Sequence, residues 1–175
     1  SLQRTILRHA SLTFMDGDLD EDGRLSWSEF WDFVVPDNLK PKLVEADVRR
    51  GFESTTGATP GEAPGSITFA RFCLNMLRCV SVHTGVPVPS FFAKFDPGNK
   101  GLDLLEFANA LDSFGFGSCA EPLFRSLDGG AGKIDYALLM RAIKNEAYDK
   151  GTCAILHESV KARVAKVEAE RAQPH

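Results

Sequence analysis

The sequence predicts an all-α protein: two lobes, each a pair of helix-loop-helix units, followed by a C-terminal amphipathic helix. A short phrase of glycine, branched aliphatic, aromatic and Phe recurs four times, each copy is followed by apolar residues at helical spacing, and a Pro/Gly-rich stretch separates the copies two and two. The copies are Gly23-Arg24-Leu25-Ser26-Trp27-Ser28-Glu29-Phe30, Gly65-Ser66-Ile67-Thr68-Phe69-Ala70-Arg71-Phe72, the one-residue-shorter Gly101-Leu102-Asp103-Leu104-Leu105-Glu106-Phe107, and Gly132-Lys133-Ile134-Asp135-Tyr136-Ala137-Leu138-Leu139.

Each copy opens an exit helix. After the second, Phe69, Phe72, Cys73, Met76, Leu77 and Val80 fall on one apolar stripe. Entering helices end just upstream: Phe92 and Phe95 precede Asp96 by the offsets at which Phe124 and Leu127 precede Asp128. Ser118 with Glu121 reads as a capping box starting the fourth entering helix, with Pro122 tolerated in its first turn. The stretch from Thr84 to Pro89 then divides the chain into an N-terminal lobe (1–84), a linker (85–90) and a C-terminal lobe (91–150). The remainder, 151–175, carries Leu156, Val160, Val164 and Val167 at spacings of four, four and three among Lys161, Arg163, Lys166, Glu168 and Glu170, an amphipathic helix. Three readings of it stand: packing into the protein's own C-lobe groove, binding another chain, or a frayed, solvated helix.

The loops differ in what they can hold. Calcium takes six to eight oxygens, and a twelve-residue loop supplies them from positions 1, 3, 5, 7, 9 and 12 around a glycine at 6. The first loop fits: Asp18, Asp20 and Asp22 at 1, 3 and 5, Gly23 at the turn, the Arg24 carbonyl, Ser26 where a water is often held, and Glu29 as the bidentate ligand. Leu25 is expected to bridge to the paired loop. The second loop places Pro60, Glu62, Pro64 and Arg71 at 1, 3, 5 and 12, so it is not expected to bind, and Glu53 to Pro64 reads as an insertion, either a contact loop or a surface excursion. The third loop is one residue short. Two expectations stand for it: Asp96, Asn99, Asp103, Glu106 and the Gly101 carbonyl as a second, weaker ligand set, or a degenerate loop kept only for pairing. The fourth has Gly129, Gly130 and Ala131 in the ligand stretch and Leu138 at its end, and is expected to hold no metal.

These residues resemble the EF-hand superfamily, the calmodulin and troponin C type of protein, from about Leu2 to Tyr148. The first loop carries the resemblance; the other three share its spacing and flanking residues. The resemblance implies that Glu29 is the lever by which calcium moves the exit helix with Phe30, Trp31, Phe33 and Val34, unless these aromatics are ordinary core in both states, while the C-terminal lobe keeps its conformation as a docking or structural lobe. Three methionines, Met15, Met76 and Met140, are few for a promiscuous sensor and point to one dedicated protein partner. The expected function is a calcium-binding regulatory or light-chain-like subunit of a larger assembly. Two alternatives stand beside it: a structural subunit, of cytoskeletal or axonemal type, in which calcium only stabilises the N-lobe, and the calcium-responsive module of a longer protein. A chain that begins at Ser1 instead of a methionine reads as processed or excised from something longer.

Composition narrows the field. A net charge of −4 with interspersed signs is not a nucleic-acid footprint. No apolar run reaches the length of a membrane span, and the N-terminus shows no signal-peptide core. Cys73, Cys79, Cys119 and Cys153 read as carrying no CxxC or Cys/His pairing and no disulfide framework, which suits a reducing, cytoplasmic compartment; the few methionines, the loops that hold no metal and the tail helix suit a cytoskeletal or ciliary component. His9, His83, His157 and His175 read as scattered, with no nucleophile or carboxylate partner at motif spacing, and there is no phosphate-binding GxxxxGK[ST]. The sequence therefore reads as non-catalytic.

Overall fold

The computed structural model describes residues 2–56 and 65–173, and it is predominantly helical. Helix α1 (Leu2–Gly17) buries Ile6, Leu7, Ala10 and Phe14 along one face. A two-residue strand β1 (Arg24–Leu25) leads into α2 (Trp27–Glu29), which continues as a π-helical turn over Phe30–Val34 and stops before Pro36. A 3₁₀ turn (Lys40–Lys42), α3 (Glu45–Thr56), strand β2 (Ile67–Thr68) and α4 (Phe69–Thr84) complete the N-terminal half. The insertion expected from Glu53 onward begins as the last turn of α3; residues 57–64, with Pro60, Glu62 and Pro64, lie outside the described residues.

Helix α4 ends where Gly85 adopts φ 72°, a left-handed cap whose N–H donates to the Ser81 carbonyl. The C-terminal half holds α5 (Val88–Phe92), α6 (Leu104–Ser113), a 3₁₀ turn (Gly117–Cys119), α7 (Ala120–Leu127) and α8 (Tyr136–Asn145). The capping box expected at Ser118 and Glu121 does not form. The backbone at Ser118 is already in the 3₁₀ turn, α7 has no side-chain cap, and Glu121 instead accepts from Arg125 one turn on at 2.9 Å.

The four aliphatic residues of the repeated phrase meet in pairs. Leu25 lies opposite Ile67 in the antiparallel β1–β2 ribbon, and Leu102 exchanges both backbone hydrogen bonds with Ile134 at 2.9 and 2.8 Å. All four side chains are buried, so each pairing fixes two loops and seals the core beneath them.

The two halves do not keep separate cores. The buried side chains form one continuous cluster. Phe116 of the C-terminal half stands 4.8 Å from Phe69 and 6.1 Å from Phe72 (centroid to centroid), and Phe14 of α1 lies 5.0 Å from both. Gly115 makes that approach possible. Its φ is 86°, and a Cβ there would sit 2.2 Å from the Ser11 hydroxyl.

Helix α9 (Lys150–Ala172) lies against α1, α3 and α4 of the N-terminal half, not in the C-lobe groove. Its connection explains why. Glu146 pairs with Arg71 of α4 at 3.4 Å, and Tyr148 lies under the Arg78 guanidinium at 3.9 Å, so the chain leaving α8 is led back along α4. Asp149 then caps α9 by accepting from Thr152 N at 2.8 Å, directly over Gly51 of α3, where a Cβ would fall 2.5 Å from the Asp149 carboxylate. Cys153, Ile155, Leu156 and Val160 are buried in this junction; Val164 and Val167 are only half covered. A disulfide joins Cys79 of α4 to Cys153 of α9. This corrects the sequence reading: two cysteines 74 residues apart look unrelated until the tail turns back.

Candidate metal centre

The first loop starts where α1 ends. Gly17 packs its bare backbone against Leu25 and Val34, and the next residue, Asp18, begins the turn with its N–H on the Phe14 carbonyl at 2.9 Å. Its Oδ2 accepts from Gly23 N at 2.9 Å, drawing the chain into a ring around the carboxylates. Asp22 Oδ1 accepts from Arg24 N at 2.9 Å, and Glu21 and Gly23 take φ of 54° and 77° to close the curve.

Oxygens of Asp18, Asp20 and Asp22 all lie within 4.8 Å of one another. Three like charges this close need a counter-charge, and the strain appears at the most enclosed of them. Burial, with Asp22 and Asp20 beside it, pushes the Asp18 carboxyl up to about 6, while the hydrogen bond from Gly23 works against the rise. Its Oδ1 is buried and accepts no hydrogen bond. Exposed Asp22 goes the other way: the Arg24 N–H on its carboxylate lowers it.

Glu29 closes the loop from the far side. Ser26 caps α2 by accepting from Glu29 N at 3.2 Å, and Glu29 Oε1 accepts from Ser26 N at 2.9 Å, a reciprocal capping box. Its Oε2 accepts from Leu19 N at 2.8 Å, so the carboxylate reaches back to the head of the loop. Glu29 thus stands outside the aspartate cluster, with both oxygens held by amides. Arg24 pairs with Thr68 across β1–β2, and its side chain reaches Ser66 at 3.4 Å.

A divalent cation fits this donor set. A hard cation takes six to eight oxygens, and this loop offers an unpartnered buried carboxylate oxygen on Asp18 with carboxylates of Asp20 and Asp22 beside it. Asp18, Asp20 and Asp22 can ligate from where they stand.

The third loop is built differently. Asp96 Oδ1 accepts from Lys100 N at 3.1 Å, and Oδ2 accepts from Gly101 N at 2.9 Å and from the Tyr136 hydroxyl at 3.0 Å. Burial opposes its charge, yet these hydrogen bonds win and hold the carboxyl below its usual range; burial and Asp96 together push the Tyr136 phenol well up. Asp103 and Glu106 spend their carboxylates on a capping box at the start of α6, at 2.8 and 3.0 Å. Asn99 holds the turn at φ 51°, and a Cβ on Gly101 would lie 3.0 Å from the Ile134 carbonyl. The hydrogen bonds thus tie Asp96 to Lys100, Gly101 and Tyr136 and tie Asp103 to Glu106, and the three carboxylates of this loop do not form a cluster like that of Asp18, Asp20 and Asp22 among the described residues. In the second loop Arg71, at the twelfth position, pairs with Glu146. In the fourth, Asp128 accepts from Gly130 N at 3.1 Å and Asp135 caps α8.

One cluster escaped the sequence reading. Cys79, His83 and Cys153 each bring a ligand atom within 4.8 Å of the others, and His157 stacks on His83 at 4.0 Å and 8°. Its sequence signal is present twice: cysteine with histidine four residues on, at Cys79/His83 and Cys153/His157.

Comparison with protein-family models, with curated proteins and with solved structures finds no match to this chain.

Proposed function

We propose that this chain is a calcium-binding protein of EF-hand type that holds one ion in the loop from Asp18 to Glu29 and serves as a dedicated, non-catalytic subunit of a larger protein assembly. The observation that carries the reading is the buried, unpartnered Asp18 Oδ1 beside Asp20 and Asp22. The ligands would be the carboxylates of Asp18, Asp20, Asp22 and Glu29, with the Arg24 carbonyl and a water at Ser26. Bound there, the ion supplies the positive charge these acids lack. The pairing of Leu25 with Ile67 and of Leu102 with Ile134 supports the family reading, since EF-hand loops join two by two at that position.

The structural variant of the reading has an observation of its own. The surface that a calcium switch would open in the N-terminal half is already covered by α9: Leu156 reaches the same hollow as Leu25, Phe30, Phe52, Ile67 and Phe72. On this reading calcium stiffens the first loop and stabilises the half that grips α9, and partner contacts fall on exposed apolar residues such as Phe33 and Val44. Among the described residues no helix is long and apolar enough to cross a membrane. A cytoplasmic, cytoskeletal or ciliary assembly is the setting proposed.

Calorimetric titration of metal-stripped protein with calcium, followed in parallel by an apolar dye, tests both. One site lost in Glu29→Gln and in Asp18→Asn supports the binding reading; a dye response would favour the switch and its absence the stabilising role. No binding at all would refute the reading.

A further inference from the structure

We propose that Cys79, His83, Cys153 and His157 form a tetrahedral Cys₂His₂ metal site, suited to zinc, that clamps α9 to α4 when the two cysteines are reduced. The site is independent of the calcium loop.

The argument begins with spacing. Residues four apart on a helix lie on one face, so α4 presents Cys79 and His83 together and α9 presents Cys153 and His157 together. Cys79 faces Cys153 and His83 faces His157, so the helices run in the same direction at this point and in register. Zinc takes thiolate sulfur at about 2.3 Å and imidazole nitrogen at about 2.0–2.1 Å, in a tetrahedron whose corners are roughly 3.5 Å apart. One atom from each of Cys79, His83 and Cys153 already lies within 4.8 Å of the other two. His157 is outside that trio and joins it by turning out of its stack on His83.

A second observation points to a missing ligand. The Nδ1 of His157 is buried and has no hydrogen-bond partner. A disulfide between Cys79 and Cys153 uses neither imidazole and leaves that nitrogen without a partner. A metal uses all four side chains. His83 is solvent-exposed and gives an ion a way in.

The disulfide and the metal exclude each other. Reduction adds two electrons and two protons to the Cys79–Cys153 bond and yields two thiols; binding zinc then releases those two protons and forms two metal–sulfur bonds. The reductant is a thiol or a phosphine. Either cross-link pins the same point, so the docking of α9 survives a change of redox conditions by exchanging one fastener for the other.

Cobalt titration of the full chain, reduced with a trialkylphosphine and saturated with calcium to fill the first loop, tests the proposal. The expected result is thiolate-to-cobalt charge transfer with tetrahedral ligand-field bands that saturate at one equivalent. Zinc should bleach them, and neither the unreduced chain nor Cys153→Ser should give them. His83→Gln and His157→Gln keep both cysteines, so their folding can be verified in the oxidised form. After reduction each should weaken zinc binding by an order of magnitude or more. No thiolate–cobalt band in reduced protein of native helical content would overturn the proposal. So would a band that survives Cys153→Ser, or zinc affinity unchanged in both histidine variants.

Discussion

Asp18 and Asp96 begin their loops with the same residue and end in opposite states. Asp96 has an amide donor on each oxygen and the phenol on Oδ2, whereas Asp18 has one oxygen buried and bare. The difference has consequences for stability. The Asp18 carboxyl is raised from 3.8 to about 6 in the fold, so its contribution is fully present below about pH 3.8 and is lost as pH rises through about 6. Metal-free protein should therefore lose stability across that window relative to Asp18→Asn. At pH 7 in chelator the variant should be more stable, by no more than about 1 kcal/mol because the neighbouring Asp20 and Asp22 are exposed and solvent screens their charges, while binding no calcium. Equal melting of the two proteins at pH 5 and pH 7 would contradict this account. At Asp96 the opposite substitution logic applies. Tyr136→Phe removes one of the three hydrogen bonds to the Asp96 carboxylate and should lower stability in denaturant unfolding.

At the scale of elements, the junctions hold the molecule together. Gly115 sits between α6 and the 3₁₀ turn and lets the C-terminal half press against α1. Gly115→Ala combines a left-handed backbone with a clash on Ser11 and should cost about 2–4 kcal/mol. Adding Ser11→Ala should recover part of the loss, since it removes the hydroxyl at 2.2 Å and leaves the Ser11 Cβ at 3.1 Å and the backbone strain; no recovery would show that the hydroxyl is not what makes the substitution costly. Helix α9 is held chiefly by its first three turns. Leu156→Ala would leave a cavity over Phe30, Phe52 and Phe72, lower stability by about 2–5 kcal/mol, and raise apolar-dye binding without calcium. A silent dye signal would mean that α9 does not cover that surface in solution.

For the whole molecule, the charge on the α1–α9 contact sets a pH dependence. Burial lowers the His9 pKa, and Arg163, Arg171 and Arg8 lower it further against the opposing effect of Glu168. A histidine depressed below 6.5 contributes stability above that pH and loses it as pH falls through its folded value. Acidification below about pH 6.5 should thus loosen α9 from α1, seen as rising hydrogen exchange along both helices. His9→Gln should flatten the response, and an unchanged profile in that variant would assign the effect elsewhere.

Much of this architecture is legible in the linear chain, because periodicity and loop chemistry are local properties. The four glycine-aliphatic-aromatic phrases mark the loops, and their aliphatic residues are the ones that pair across the two loop junctions. The spacing of Asp18, Asp20 and Asp22 alone marks the carboxylate cluster, since three side chains in one tight turn cannot avoid one another. What the tertiary structure decided are encounters between residues far apart in sequence: Phe116 among Phe69 and Phe72, Tyr136 on Asp96, and Cys153 and His157 on Cys79 and His83. Apolar stripes specify that a surface will be covered but not by what, because the hydrophobic effect is non-directional. The covering of the N-terminal half by α9 was settled by Arg71, Arg78 and Gly51, whose effect on the returning chain exists only once the helices are packed.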